Sequence, residues 1–391
     1  MNPTEEHLLP ASPAPEAASA APEPAAPTPV EVIAVHDLDW AAIGQAADAP
    51  AIRARMHAVV ERMETLLDTA GGPRLLFDAD RSDPGDRAIQ VKAMGEGALW
   101  IIGDLHGDLL ALEAALAQIG RVASAEGGAE PRIVFLGDFF DDEGYGIEVL
   151  LRVFELVLQW PQRICLVAGN HDEALAYDGR QFTSSVSPSD FADFLNANLA
   201  HEWIVRVAKL AVRLTASAPR ALFFPHGLLV AHGGFPLADL HARLEESGDW
   251  NDPACLVDFT WARAHPKARR KMPNRFSRGS QFGHEDFAQF CALSARLGRP
   301  VTHLVRGHDH VEERYAIYAA CAAHPVLTTV ALSRRLPRES YGPHERAPTL
   351  VRVPAPGLPQ VHQLQIPGQL VRELFPPLPA APATDEDEVV L

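Results

Sequence analysis

Aspartate, asparagine and histidine residues recur at the ends of five short apolar runs in the chain. The runs have the composition of buried strands, so the polar clusters belong at strand ends. In chain order the clusters are Gly103-Asp104-Leu105-His106-Gly107, Gly137-Asp138, Gly169-Asn170-His171, His232-Gly233-Gly234 and Arg306-Gly307-His308-Asp309-His310. Five such clusters predict a site for two metal ions at the carboxyl ends of sheet strands.

The first cluster has the spacing of a metal-binding pair. Asp104 and His106 are two residues apart, and an extended backbone directs such side chains to the same face. The flanking Gly103 and Gly107 let the backbone turn sharply. A carboxylate combined with an imidazole suits Mn, Fe or Zn better than Ca, which prefers oxygen ligands throughout.

The remaining clusters supply further ligand atoms. Asp138 has two oxygens with which to bridge two ions, and Asn170 offers a neutral carbonyl oxygen. His232 and His308 add imidazoles, and His310 can reach the first ion. The expected arrangement is a pair of cations about 3.5–4 Å apart, the spacing of two-metal hydrolytic sites.

Alternating strand and helix patterns position these clusters. Apolar runs at 98–102, 132–136 and 163–168 lead through the first three clusters, and amphipathic helices follow at 109–119 and 147–158. This order predicts parallel strands covered by helices. A helix at 51–67 precedes them, a mostly helical insert is expected at 189–210, and strand-like runs follow at 227–231, 301–305, 326–332 and 349–353. The later strands indicate either one mixed sheet or two packed sheets.

Composition divides the chain into a core and two tails. Residues 1–31 are rich in Ala and Pro and are predicted to be disordered, as is the acidic tail 367–391. Between them we expect a helical lead-in packed on the core (32–95) and a catalytic domain (96–366). The tails' composition specifies no partner.

Charge and cysteine content narrow the functional classes. The net charge of −17 argues against general nucleic-acid binding. The four cysteines are scattered, no apolar run is long enough for a membrane span, and the N-terminus lacks the pattern of a signal peptide. These features favour a cytoplasmic protein without a membrane partner.

The clusters GDLHG, GDFFDD, GNHD, HGG and RGHDH, in this order, resemble the motifs of the calcineurin-like metallophosphoesterases. More narrowly they resemble the phosphoprotein phosphatase branch, and the resemblance spans about residues 98–355. It implies a four-layer α/β fold, with a central mixed β-sandwich flanked by helices. By motif, the resemblance assigns Asp104, His106 and Asp138 to the first ion. Asp138 would bridge to a second ion, and the remaining ligands of that ion would be Asn170, His232 and His308.

The resemblance also implies a phosphatase mechanism. A water shared by the ions would ionise near neutral pH, and the hydroxide would attack phosphorus in line. His171 would protonate the leaving alkoxide, and Asp141 would hold its imidazole. The segment RFSRGSQFG resembles the one that carries a phosphate-binding arginine, which is Arg278 here.

Two positions depart from the phosphatase pattern. Asp142 stands where that branch usually has an arginine that grips phosphate, and Asp172 stands where it usually has glutamate. The first change weakens the expectation of a standard phosphoprotein phosphatase. The sequence does not decide whether His310 is a metal ligand, because the wider superfamily often uses both histidines of GHxH as ligands and the phosphatase branch uses one.

Three functions therefore remain under consideration. The leading one is a metal-dependent phosphomonoesterase acting on phosphoproteins. The second keeps the metals but cleaves a small phosphorylated metabolite or a dinucleoside polyphosphate. The third is a metal-bearing interaction module without catalysis.

Overall fold

The computed structural model describes residues 30–70, 72–128, 130–142, 144–269, 278–318, 323–336, 339, 345–355 and 357–376. In chain order its strands and α-helices are β1 (Glu31–Val35), α1 (Trp40–Ala46), α2 (Ala49–Ala54), α3 (Met56–Asp68), β2 (Ala88–Gln90), β3 (Leu99–Ile102), α4 (Leu109–Ala125), β4 (Arg132–Phe135), α5 (Gly146–Gln159), β5 (Ile164–Leu166), α6 (Asn170–Ala174), β6 (Leu175–Tyr177), β7 (Phe182–Ser184), α7 (Asp190–Ala197), α8 (Glu202–Ser217), β8 (Ala221–Phe223), β9 (Leu228–Ala231), α9 (Ala238–Ser247), α10 (Pro253–Trp261), β10 (Arg263–Ala264), β11 (Gln281–Phe282), α11 (His284–Arg296), β12 (His303–Arg306), β13 (Tyr315–Ile317), β14 (Val326–Thr329), β15 (Thr349–Val353), β16 (Gln360–Leu364) and α12 (Gly368–Leu374).

The strands form two six-stranded mixed sheets. The first has the order β1-β16-β15-β3-β4-β5, and the second has the order β13-β14-β12-β9-β8-β2. Each sheet contains a parallel triplet, β3-β4-β5 in the first and β9-β12-β14 in the second. Of the two arrangements that the later strands allowed, the structure has two sheets.

The two sheets pack face to face over an apolar layer. Leu99, Ile101 and Val134 of the first sheet belong to one buried cluster with Val230 and Val305 of the second. Alternate residues of the same strands point to the opposite face of the first sheet, where they meet helices. Because both faces of these strands are buried, they read in the sequence as continuous apolar runs.

Helices cover the two outer faces. Trp100 and Ile102 of β3 share a buried cluster with residues of α3, α4, α5 and α8. On the other side, Phe223 and Leu304 of the second sheet share a cluster with residues of α9, α10 and α11. The order helix, sheet, sheet, helix confirms the predicted four-layer α/β architecture.

The ends of the core differ from the expected division of the chain. β1 pairs with β16 and β2 pairs with β8, so the lead-in adds a strand to each sheet. The helix expected at 51–67 is two helices, which meet at Arg55. The acidic tail does not begin at residue 367, because α12 follows and buries Val371. Residues 1–29 and 377–391 lie outside the described part of the chain.

The carboxyl ends of the parallel triplets meet at one edge of the sandwich. Asp104, just past β3, forms an isolated parallel bridge with Val330, just past β14. Gly137, just past β4, has φ 98°, and a Cβ there would lie 2.0 Å from the backbone nitrogen of Gly169. This contact brings the second and third clusters together.

Within the described residues, no helix is both long enough and apolar enough to cross a membrane.

Met63 tests whether the lead-in belongs to the cooperative core. Its side chain is fully buried in α3, so Met63→Ala should lower the free energy of unfolding by about 2–5 kcal/mol. Urea denaturation measures this loss. Arg62→Ala, at the exposed neighbouring position, should change it by less than about 0.5 kcal/mol. Equal effects of the two substitutions would contradict the packing.

Gly137→Ala tests the close approach of the second and third clusters. Gly128 also has a positive φ, 83°, but has no atom within 4 Å of a Cβ, so it is the matched control. Both substitutions should cost about 1–2 kcal/mol through backbone strain. Gly137→Ala should cost about 1–3 kcal/mol more through overlap, measured on the metal-free protein by urea denaturation. The same cost at both positions would show that the clusters tolerate a side chain between them.

Candidate metal centre

The predicted ligand residues converge at the shared sheet edge. Two groups of His and Asp side chains have ligand atoms within 4.8 Å of one another. The first group is Asp104, His106 and His310, and the second is Asp138, His232 and His308. A third such group, His106, Asp142 and His171, lies against the first.

In the first group the ring nitrogens and carboxylate oxygens face one another. His310 Nε2 lies 3.1 Å from His106 Nε2 and 3.2 Å from Asp104 Oδ2. The other ring nitrogen of His310 lies 3.9 Å from a carboxylate oxygen of Glu339. A carboxylate on the far side of an imidazole orients it in many metal sites. His310 therefore has the surroundings of a ligand.

The second group has the same character. His232 Nε2 lies 2.9 Å from Asn170 Oδ1 and 3.2 Å from His308 Nδ1. The backbone nitrogen of His308 donates to both carboxylate oxygens of Asp104, each at 3.0 Å, which connects the two groups.

Asp138 lies between the groups. Its Oδ2 is 3.6 Å from His106 Nε2 and 3.4 Å from His232 Nε2. Its Oδ1 accepts a hydrogen bond from the backbone nitrogen of His171, at 2.9 Å. One carboxylate oxygen therefore faces an imidazole from each group.

Backbone carbonyls fix the tautomers of two of these histidines. Nδ1 of His106 donates to the Phe140 carbonyl at 3.0 Å, and Nδ1 of His232 donates to the Leu136 carbonyl at 2.9 Å. When such a ring is neutral, its lone pair is on Nε2, the atom that faces the Asp138 carboxylate, and this is the form that binds metal.

The donor set fits metal ions. Lone pairs of neighbouring imidazoles face one another at hydrogen-bond distance, and carboxylates surround them. The buried Nε2 of His308 has no hydrogen-bond partner among the described residues. A metal cation among these nitrogen and oxygen atoms would satisfy several of their lone pairs at once, and imidazole with carboxylate suits Mn, Fe or Zn.

The pKa values of Asp104 and His106 favour the ligand forms of these two residues. Burial acts to raise the pKa of Asp104, but His232 and His310 outweigh it and lower that pKa to about 2. Burial, with His171 and His310, lowers the pKa of His106 to about 3. The carboxylate is therefore ionised and the imidazole neutral near neutral pH.

The left-handed backbone at this edge is not confined to glycine. His106, Asp138 and His308 have φ of 41°, 53° and 70°, and Asp141 and Asp142 have φ of 71° and 60°. Non-glycine residues rarely adopt such values, and those that do gather at functional sites.

His171 and Asp141 form a buried pair. Nδ1 of His171 lies 2.7 Å from Asp141 Oδ2, and Asp141 Oδ1 accepts from the Phe191 backbone nitrogen at 2.9 Å. Burial acts to lower the pKa of His171, but Asp138, Asp141 and Asp142 outweigh it and raise that pKa to about 9. The structure thus brings together a protonated imidazole and the carboxylate that orients it.

Asp142 turns its carboxylate into the site. Its Oδ2 lies 3.5 Å from His106 Nδ1, and its backbone nitrogen donates to Asp190 Oδ1 at 3.0 Å. Burial raises its pKa. The position of the usual arginine is therefore occupied by a buried acidic group.

Asp172 joins two clusters. Its Oδ2 accepts from the backbone nitrogens of Asp138 and Gly169, at 2.7 and 2.9 Å, and its Oδ1 accepts from that of Phe139 at 3.3 Å. Although it is shorter than the usual glutamate, it meets three backbone donors.

Arg278 is placed differently from the other predicted residues. Its side chain is exposed, and its guanidinium carbon lies 5.8 Å from the centre of the Trp261 ring. Residues 270–277, which include three basic residues, lie outside the described part of the chain. The geometry brings the other nine predicted residues together, and the phosphate-binding role of Arg278 stays a prediction.

Sequence reasoning missed the groups that support the last cluster. Asp309 accepts from the guanidiniums of Arg306 and Arg263, at 2.5 and 3.1 Å. Arg306 is fully buried, and its spacing to Asp309 within one motif could have signalled the ion pair. Buried Arg314 binds both Glu339 oxygens, at 2.5 and 3.0 Å, and no local pattern marks that pair.

Comparison with known proteins places this geometry in a family. A model of the calcineurin-like phosphoesterases matches residues 98–312. The catalytic subunit of serine/threonine-protein phosphatase 6 from Drosophila melanogaster is 27% identical over 221 residues, which are 54% of this chain and 64% of that protein. The corresponding subunit from Caenorhabditis elegans is 22% identical over 219 residues, 55% of this chain and 59% of that protein.

A solved structure has the same fold. It is a protein serine/threonine phosphatase from Saccharomyces cerevisiae, with TM-score 0.52 and 15% identity over 81% of this chain and 90% of that one. The chain spans less than two thirds of the length of the curated relatives described above. The family model covers more than half of the chain, and the chain belongs to the calcineurin-like phosphoesterases.

Proposed function

We propose that the protein is a dinuclear metal-dependent phosphomonoesterase. The observation that carries this proposal is the position of Asp138, whose Oδ2 faces an imidazole of each ligand group. A carboxylate shared in this way suits two ions held a few ångströms apart, the arrangement of two-metal hydrolytic sites.

The ligands divide between two ions, each of which is Mn, Fe or Zn. Asp104, His106 and His310 would hold one ion, and Asn170, His232 and His308 would hold the other, with Asp138 shared. When bound, the ions would supply an ionised water as nucleophile and offset charge on the phosphate. His310 is included because its Nε2 faces both Asp104 and His106, and because Glu339 lies 3.9 Å from its other ring nitrogen.

His171 is proposed as the general acid. Its imidazole is 8% exposed, so it is reachable from the site, and the adjacent carboxylates keep it protonated. Asp141 fixes the ring through Nδ1, which leaves the Nε2 proton available to the leaving alkoxide.

Phosphoproteins are the proposed substrates. The support is the set of related serine/threonine-protein phosphatases and the yeast structure of the same fold. The proposed compartment is the cytoplasm, supported by the buried thiols of Cys165 and Cys255, which form no disulfide within the described residues.

Asp142 supports a second candidate function. A buried acid beside the phosphate site disfavours a phosphorylated side chain gripped from that position, as the branch does with arginine. Hydrolysis of a small phosphorylated metabolite or a dinucleoside polyphosphate, whose other groups can provide binding, is therefore the alternative.

Asp138→Asn tests the shared ligand. Removing one charged oxygen should lower the manganese content and reduce hydrolysis of an aryl phosphate by about 100-fold or more, as loss of metal-site groups commonly does. Manganese content by elemental analysis and initial rates measure the two effects. Asp37→Asn, at an exposed position, is the control with the same chemical change. A manganese-loaded wild type without turnover would favour the non-catalytic interaction module.

His171→Asn tests the acid. Because proton transfer from a positioned side chain contributes about 100- to 10,000-fold, kcat for a phenyl phosphate should fall by that range while metal content stays full. Steady-state kinetics and metal analysis check this, with exposed His226→Asn as control. Unchanged turnover in fully loaded His171→Asn would remove His171 from the mechanism.

A side-by-side assay separates the two substrate classes. The manganese-loaded enzyme should show a kcat/KM for phosphoserine peptides at least about ten times that for dinucleoside polyphosphates. This ratio corresponds to about 1.4 kcal/mol of transition-state discrimination. The reverse order would establish the alternative.

A further inference from the structure

A guanidinium from elsewhere in the fold lies against the loop that lacks the usual arginine. Nη2 of Arg334 lies 3.4 Å from the backbone carbonyl oxygen of Asp142. A Cβ at Gly144 would lie 2.8 Å from that nitrogen and 3.1 Å from the carbonyl oxygen of Gly107. Arg334 therefore stands between the loop after His106 and the loop after Asp141.

The backbone that carries Arg334 is held to the same site. Ser333 donates twice to Asp108 Oδ2, from its backbone nitrogen and from its hydroxyl, each at 2.8 Å. Asp108 is also the N-cap of α4, directly after the first cluster. The carbonyl of Arg334 accepts from Arg314 Nη2 at 2.6 Å, and Arg314 is paired with Glu339 beside His310.

An aromatic ring supports the guanidinium from another side. The guanidinium carbon of Arg334 lies 4.5 Å from the centre of the Phe375 ring. Phe375 follows α12 and packs near the ring of Tyr145, 5.8 Å away, and the Tyr145 hydroxyl donates to the Leu374 carbonyl at 3.2 Å. A guanidinium stacked on a ring loses less conformational entropy when it binds an anion.

The charge of the site calls for such a cation. Asp142 places a buried carboxylate where an arginine is usual, next to the buried Asp141 carboxylate that pairs with His171. A phosphate approaching this side would meet negative charge unless a fixed cation adjoined it. A guanidinium matches phosphate oxygens with paired donors, which a point charge does not.

We propose that Arg334, from the loop after β14, supplies the guanidinium that binds the substrate phosphate in place of an arginine at position 142. The inference rests on the proposed phosphomonoesterase function. The guanidinium would thus come from the loop after β14 instead of the loop after β4. Arg334 meets the loop after β4 at Asp142 and Gly144.

Arg334→Gln tests the proposal by binding as well as by turnover. The dissociation constant of inorganic phosphate for the manganese-loaded protein, measured by calorimetry, should rise about 10- to 100-fold because a charge-assisted contact is lost. KM for an aryl phosphate should rise similarly, while manganese content and Tm stay at wild-type values. Arg335→Gln is the matched control, since its guanidinium contacts the Glu339 carbonyl. It should keep wild-type phosphate binding.

Two further variants complete the test. Arg334→Lys keeps the charge but loses the paired donors, and should raise the phosphate dissociation constant by about 3- to 10-fold. Adding Asp142→Arg to Arg334→Gln should restore part of the lost affinity. A wild-type dissociation constant in both Arg334 variants would overturn the proposal. Failure of the proposed function would look different, because the wild type itself would neither hydrolyse the ester nor bind phosphate.

Discussion

The candidate metal centre depends on a backbone that holds non-glycine residues in the left-handed region. His106, Asp138 and His308 all have positive φ, and each carries a side chain that faces the ligand groups. Such conformations cost about 1–3 kcal/mol each and persist only where the surroundings determine them. Here the surroundings are the sheet ends, where Leu105 and His106 both donate to the Asp138 carbonyl, at 3.0 and 2.9 Å. The rigidity of the two-sheet core is thus what allows a crowded, strained set of donors to form.

Patterns within the sequence predicted the strands that carry the ligands. β3, β4, β9 and β12 are four-residue strands buried on both faces or nearly so, and their apolar runs end at the polar clusters. β8 has only three residues, and β2 lies in the lead-in predicted to be helical. Neither strand gives an apolar run that stands out in the sequence. Tertiary pairing, of β2 with β8 and of β8 with β9, rather than local propensity, creates such strands.

The candidate ligands could be predicted from the sequence, but the contacts that hold them in place could not. Asp104, His106 and Asp138 stand beside glycines at strand ends, so residue type and spacing alone indicate the chemistry. The contacts that hold these residues span long distances in the chain, such as Ser333 with Asp108, 225 residues apart. For Arg278 the relation is different, and its phosphate-binding role stays a prediction. A motif resemblance predicted it, but its position over Trp261 is decided by packing that the motif does not contain.

Asp172 has a wider consequence than its distance from the reaction would imply. One carboxylate receives backbone N–H groups from Asp138, Phe139 and Gly169, and the acid His171 is its immediate neighbour in the chain. The proposed bridging ligand, Asp138, and the proposed proton donor, His171, are therefore both positioned next to one carboxylate. A displacement of the Asp172 carboxylate would move Asp138 and His171 together, because the His171 backbone nitrogen donates to Asp138 Oδ1. Aspartate can therefore replace the usual glutamate at position 172, because the position of Asp138 relative to His171 is preserved.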